Sequence, residues 1–393
     1  MRVRYTLLPS NKHLFVIAQG LAGFVGRPLF YMARKIILVL LALVMASSAL
    51  IGQEYNYVDA SALTLTGKVF PDTPNPYHRI DTARFHGFTT QELSLVVESA
   101  GIAVAFRTDS PSIKVLPVYV RPYFGGGTTG FAGRGFDLYI KKNGKWLWAA
   151  AGLQNDNSLD KPVNLIKDMD TSVKECLLYL PVRSEMASVK IGVEDGYMLE
   201  PLENPFRHRV VVFGSSFTHG ASTSKAGMAY PSILSRETGI QFLNLGVSGR
   251  CRLQDYFAAT LCEAPDVDAF LFDTFSNPSP EEIRERLFPF IEALQAAHPG
   301  KPLIFQQTIY RERRNFNLKA DEYEAGRIKV VADLMKEARR KYKDVYFVTS
   351  TNATSPDHYT SVDGTHPGDY GYTLWARSIR KPVLRILRRY GIR

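Results

Sequence analysis

The sequence predicts an α/β chain: a five-stranded parallel sheet covered on both faces, preceded by an all-β antiparallel sandwich of jelly-roll type. Three observations predict it. Residues 93–193 are a series of short β-branched and aromatic runs separated by Gly, Asn, Asp and Pro. From residue 208 onward, strand-like runs alternate with helical ones. Short polar motifs fall where strands of the second region end, and carboxyl ends are where a parallel sheet gathers functional groups. A chain of 393 residues is also long for one core.

The chain opens with a leader, residues 1–52. The apolar run IILVLLALVM (36–45) follows Arg34-Lys35 and precedes Ala46-Ser47-Ser48-Ala49. A positive flank, a short apolar stretch and small residues describe a secretory signal peptide, with cleavage expected near residues 49–53. The run is shorter than the roughly 20 residues of a membrane span, so no stable span is expected after cleavage. Met32 is the expected true start, and an uncleaved anchor is the alternative. Export to the periplasm or the extracellular space follows.

Residues 54–205 form the predicted sandwich. Its strands are LSLVVES (93–99), IAVAFRT (102–108), IKVLPVYV (113–120), FDLYIKK (136–142), KWLWAAA (145–151), CLLYLPV (176–182) and ASVKIGV (187–193). Asn143-Gly144 marks a tight hairpin. Residues 124–135, rich in glycine, read as a mobile loop, either a plain connection or a lid beside a neighbouring site. PLENPFR (201–207) reads as a linker, and residues 206–393 as the second domain. There, strands are predicted at 209–213, 241–246, 268–274, 302–308 and 345–349. Helices are predicted at 228–238, up to Leu261, at 280–297, at 319–342 and from Asp369, with a bend at Pro382.

Composition excludes several classes. With 45% hydrophobic and 22% charged residues the chain is globular, not disordered. The net charge of +10 is uneven: residues 1–52 hold six Lys/Arg and no acid, leaving 42 basic against 38 acidic side chains, a net of +4. A nucleic-acid partner therefore loses most of its support. Three cysteines exclude a disulfide scaffold and an all-cysteine zinc site. Cys251 and Cys262 are expected on one helix, too far apart to bridge, and all three thiols are read as free.

Four segments carry chemistry. Gly214-Ser215-Ser216-Phe217-Thr218-His219-Gly220, Asn244-Leu245-Gly246-Val247-Ser248-Gly249 and Asp273-Thr274-Phe275-Ser276-Asn277-Pro278 each follow a predicted strand. Asp363-Gly364-Thr365-His366-Pro367 lies before the last helix. Acyl transfer needs a nucleophile, a base, a group to orient the base, and donors for the oxyanion. Ser216 in a strand-to-helix turn suits the first. His366 and Asp363, three residues apart, suit the next two. The Ser216 N–H, the Gly249 N–H and the Asn277 amide suit the last. Singly, each has an ordinary explanation as a turn or cap residue; the ordered set of four carries the reading. His219 is expected to pack or touch substrate rather than act as base. Phe217, Phe275, Tyr310 and Tyr370 are available to stack on a sugar, although core packing is the commoner use of such rings. The basic helix of Arg380, Lys381, Arg385, Arg388 and Arg389 reads as a solvated face.

These segments resemble the SGNH (GDSL-like) hydrolase family over residues 208–393. The resemblance implies a flavodoxin-like sheet, Ser216 as nucleophile, Asp363 and His366 as its partners, and Ser216, Gly249 and Asn277 as the oxyanion hole. It implies no metal or organic cofactor. Gly135-Phe136-Asp137-Leu138-Tyr139 resembles the GxDLY module that precedes a subset of these hydrolases. The first block reads GSSF in place of GDSL, and the third has Phe275 and Pro278 where Gly and Asp are usual; none of the five chemical positions is altered. An α/β-hydrolase fits worse, because GxSxG would need glycine at Thr218. The expected activity is hydrolysis of an acyl ester on a small molecule or oligosaccharide, with acetyl or short acyl groups on a carbohydrate foremost. The alternatives are an acyltransferase using the same residues and a non-catalytic carbohydrate-binding protein.

Overall fold

The computed structural model describes Met32, residues 35–38 and residues 54–393 apart from 155, 156 and 352. The chain forms two compact units, Met1–Glu54 and Tyr55–Arg393. In the first, Met32 and residues 35–38 are helical. Most of the signal-peptide run and the whole expected cleavage region lie outside the described residues. No helix among the described residues is long and apolar enough to cross a membrane.

The second unit begins with β1 (Tyr55–Asp59), β2 (Thr64–Thr66), α1 (Thr90–Val96), β3 (Ala103–Thr108) and β4 (Ile113–Arg121). Then come α2 (Gly130–Gly133), β5 (Phe136–Lys142), β6 (Lys145–Gly152), β7 (Val163–Ile166), β8 (Lys174–Tyr179), β9 (Glu185–Glu194) and β10 (Leu199–Pro201). They build two antiparallel sheets, ordered β1-β9-β4-β7 and β10-β3-β8-β5-β6, with β2 also on β3. Alternation decides the packing. Val104, Phe106, Leu138 and Leu178 face the other sheet's Val115, Val189 and Ile191 in one apolar layer. The intervening residues Ala103, Ala105, Leu177 and Tyr179 face the opposite way, onto a second layer that includes Leu202, Phe206 and Ala226. Asn143 and Gly144, both at positive φ, close the β5–β6 hairpin as predicted.

One predicted strand is a helix. Residues 93–96 belong to α1, not to a strand. Thr89 caps it and Glu92 reaches back to the Thr89 amide, a reciprocal box that outweighs the β-propensity of Leu-Val-Val.

The parallel sheet follows: β11 (Arg207–Gly214), α3 (Ser216–His219), α4 (Tyr230–Thr238), β12 (Ile240–Gly246), α5 (Asp255–Cys262), β13 (Ala269–Asp273), α6 (Pro280–Ala297), β14 (Leu303–Gln306), α7 (Leu318–Lys341), β15 (Val345–Val348) and α8 (Asp369–Arg388). Strand order is β12-β11-β13-β14-β15, all parallel, the flavodoxin-like order. α5, α6 and α7 cover one face through Phe257, Leu287, Ile291 and Met335. α4 and α8 cover the other through Leu234, Trp375, Ile379 and Val383. The first face also takes Val69, Phe70, Ile80, Phe85, Leu95 and Val96, so the segment before β3 finishes a core that begins at β11.

One further expectation changes. α5 begins at Asp255, so Cys251 lies in the turn before it rather than on Cys262's helix; all three thiols are free. α8 runs through Pro382, and its basic side chains 377, 381, 385 and 388 lie on the outer face, opposite Trp375, Ile379 and Val383.

Candidate active site

The carboxyl ends of β11, β12 and β13 bring the first three polar segments together. Ser215 caps α3 by accepting from the Phe217 amide. The turn is braced from below by Asp273, whose Oδ2 accepts from the Ser215 hydroxyl at 2.8 Å and the Thr218 hydroxyl at 3.0 Å. Asp273 is fully enclosed. Burial pushes its carboxyl up to about 6, against the hydrogen bonds from Ser215 and Thr218. β12 can run directly beside α3 because Gly246 has no side chain: a Cβ there would lie 2.1 Å from the His219 nitrogen.

The fourth segment arrives from the loop before α8. Ser216 Oγ lies 2.9 Å from His366 Nε2, and His366 Nδ1 lies 2.7 Å from Asp363 Oδ2. Asp363 Oδ1 accepts from the amides of His366 at 2.7 Å and Thr365 at 2.9 Å. Burial pushes the Asp363 carboxyl up, but hydrogen bonds from the His366 amide, its imidazole and the Thr365 amide hold it below the usual value. An acceptor at Nδ1 places the ring hydrogen there and leaves Nε2 bare toward the serine hydroxyl. A chain of this geometry can draw the proton from a serine as its oxygen attacks a carbonyl.

All five sequence-predicted residues, Ser216, Gly249, Asn277, Asp363 and His366, line one cleft of about 560 Å³. Gly249 sits at φ +72°, which only glycine adopts freely, and no atom stands within 4 Å of where a Cβ would be. Asn277 Oδ1 is buried without a hydrogen-bond partner. Its loop is held by two guanidinium groups: the Ser276 carbonyl accepts from Arg311 Nη2 at 2.6 Å and Arg327 Nη1 at 2.9 Å. Glu324 bridges both arginines. The sequence reading missed this clamp, although Glu324 and Arg327, three apart on one helix face, are a recognisable pair.

The cleft is not made by the parallel-sheet region alone. Tyr123, Gly127, Thr128 and Arg183 line it from the sandwich. Within residues 124–135, α2 is capped by Thr129, whose hydroxyl donates to the Ser224 carbonyl at 2.6 Å. The segment is thus a wall of the cleft tied across to the first motif's loop. The aromatic rings of the cleft are Tyr123 and Tyr323. Phe217 and Phe275 are core residues, and Tyr310 and Tyr370 are not among the lining residues. His219 is fully buried and packs. Among the described residues no group of three His, Cys, Asp or Glu is arranged to hold a metal ion.

The GxDLY segment acts elsewhere. Asp137 is buried, accepting from the Gly227 amide at 2.8 Å and from the Trp148 indole at 2.9 Å. The Tyr139 ring lies 3.9 Å from the Arg236 guanidinium. The motif therefore fastens β5 to the segment before α4 and to the last turn of α4.

Comparison with known proteins agrees with this architecture. Residues 207–385 match the GDSL-like Lipase/Acylhydrolase family, and residues 55–199 match the GxDLY family, the N-terminus of SGNH-hydrolase-type esterases. The chain belongs to the GDSL-like lipase/acylhydrolase family and is an ester-hydrolysing enzyme. A GDSL-like lipase from Bacteroides ovatus is 38% identical with a TM-score of 0.82, over 85% of this chain and 98% of that one. A salicylyl-acyltransferase from a tetracycline biosynthetic pathway shares the fold at 18% identity and TM-score 0.66, over 84% and 97%. So does a family two carbohydrate esterase from Cellvibrio japonicus at 11% and 0.54, over 86% and 99%. No curated protein matches the chain.

Proposed function

We propose that the protein is an exported serine esterase that removes acetyl or other short acyl groups from a carbohydrate through an acyl-enzyme. One observation carries the catalytic part: Ser216, His366 and Asp363 stand in line at 2.9 and 2.7 Å in a cleft that Gly249 and Asn277 also line. His366 takes the Ser216 proton as the oxygen attacks the ester carbonyl. Asp363 holds the ring and balances the imidazolium. The amides of Ser216 and Gly249 and the Asn277 side chain receive the oxyanion. The alcohol leaves with the proton from His366, and water, deprotonated by the same ring, releases the acid.

Tyr123 and Tyr323 offer flat faces for a sugar, beside the polar groups of Thr128, Arg183 and Arg311. The carbohydrate esterase of the same fold supports this substrate class. Export is supported by the run 36–45 and its flanks. The test is hydrolysis of p-nitrophenyl acetate and of acetylated xylan, mannan and pectin fragments by the wild type and Ser216→Ala. We expect a loss of at least about a thousandfold in the variant. Equal rates would end the esterase mechanism. Product analysis with and without an added alcohol distinguishes hydrolysis from acyl transfer.

A further inference from the structure

Ser248 immediately precedes Gly249, so the peptide joining them carries the N–H proposed to meet the oxyanion. The Ser248 hydroxyl has two partners. It lies 3.0 Å from His219 Nδ1 and 2.7 Å from Arg183 Nη1. Arg183 can only donate, so the hydroxyl oxygen accepts from it and its hydrogen goes to the imidazole. The other side of that ring agrees: His219 Nε2 is 2.8 Å from the Val182 carbonyl, with a Glu98 carboxylate oxygen 3.0 Å away. Both are acceptors, and both stand closer to Nε2 than the donor on that side, Arg79 Nη2 at 3.5 Å, so the ring hydrogen sits on Nε2 and Nδ1 is bare. Burial, with the charges of Arg79 and Arg183, holds His219 well below an ordinary histidine's value, so the ring is neutral.

The remaining groups around this ring all come from the sandwich. Arg79, completely buried, donates from Nε to the Glu98 carbonyl at 2.7 Å and from Nη1 to the Gly246 carbonyl at 2.8 Å. Glu98 lies 3.6 Å from Arg183 Nε. Thus Arg79 grips the second motif at Gly246, and Arg183 grips it at Ser248, directly and beside His219.

We propose that His219 and Arg183 are positioning residues that clamp the Ser248 hydroxyl and so aim the Gly249 amide at the oxyanion, making the N-terminal sandwich a working part of the oxyanion hole. This rests on the serine-esterase mechanism proposed above. It assigns a task to the sandwich that is separate from shaping the substrate cleft. It also gives His219, three residues from Ser216, fully buried and not among the cleft's lining residues, a reason to be histidine: it is a ring that donates on one edge and accepts on the other.

The test is steady-state kinetics on p-nitrophenyl acetate. Ser248→Ala should lower kcat about 10- to 100-fold, less than outright loss of an oxyanion donor, with KM within about threefold. Ser248→Thr, which keeps the hydroxyl, should recover most of the loss. Arg183→Met should lower kcat, and the Ser248→Ala/Arg183→Met double variant should fall no further than the worse single one, because both remove one clamp. The proposal is overturned if Ser248→Ala keeps kcat within threefold, if its deficit lies in KM, or if the two losses multiply. Ser248 is partly exposed, so its alanine variant should fold; unchanged thermal unfolding checks this. Ser216→Ala, run alongside, separates the two claims. If it is inactive while Ser248→Ala is normal, the clamp fails and the esterase stands; if it is fully active, both fall.

Discussion

Asp363 shows how one side chain sets the chemistry of another. Its two oxygens take three donors, two backbone amides and the His366 ring, so neither the carboxylate nor the imidazole is free to turn. Replacing it with Asn offers the ring a donor where it needs an acceptor. Asp363→Asn should therefore lower kcat by roughly a thousand- to ten-thousandfold with little change in KM, as steady-state kinetics would show. His219 gives a second expectation at this scale. In 15N spectra of histidine-labelled protein it should carry its hydrogen on Nε2, and remain neutral at a pH where an exposed histidine is protonated. The five residues that meet in the cleft could be read from the sequence because each sits in a short motif, three of the motifs at strand ends and the fourth in the loop before α8. Arg79, Glu98 and Arg183 could not. Arg79 meets Gly246 across 167 residues, and nothing local marks a buried arginine whose partners are carbonyl groups of another layer.

Between elements, the decisive contact is the one that seats the Ser216 turn on the sheet. Gly246→Ala would push a methyl into the His219 backbone, which cannot step aside. A loss of about 1–3 kcal/mol in urea unfolding is expected. Asp273 ties the same turn to β13, and its titration can be followed. Its carboxyl binds a proton more tightly folded, near 6, than unfolded, near 3.8, so this group's contribution to stability falls as pH rises through that window. The stability of wild type minus that of Asp273→Asn should therefore decrease between pH 4 and 6.5 in denaturant titrations; a flat difference would contradict it. Periodicity located the parallel strands and the long helices because each buries a continuous face. It failed at α1, where a four-residue capping pattern starting at Thr89 outranked the apolar run that follows. It also passed over β1, β2, β7 and β10, short or edge strands whose order comes from their partners.

Taken whole, residues 55–393 are one compact unit in which the sandwich and the parallel sheet share structure rather than merely adjoin. Phe70, Ile80, Phe85, Leu95 and Val96 finish the apolar layer over Phe213, Leu243 and Phe270. Residues 206–393 expressed alone would expose that layer. They should give a product that binds a hydrophobic dye and lacks near-ultraviolet circular dichroism, while residues 55–393 give native spectra. A change of rhythm near residue 205 is visible in the sequence, but this shared layer is not, because residues 69–97 carry no periodicity that names their partner.

Part of the cleft's rim descends from one half of the gene and Ser216 from the other, with Arg183 touching both the cleft and the Ser248 hydroxyl. Recombination between homologues at the junction would pair a foreign rim with a native hydrolytic centre, and in the same stroke unseat the serine hydroxyl that Arg183 holds. Exchange of one half alone is therefore expected to cost activity, whereas point changes around Tyr123, Gly127 and Thr128 would alter the cleft wall and leave the Arg183 contact in place.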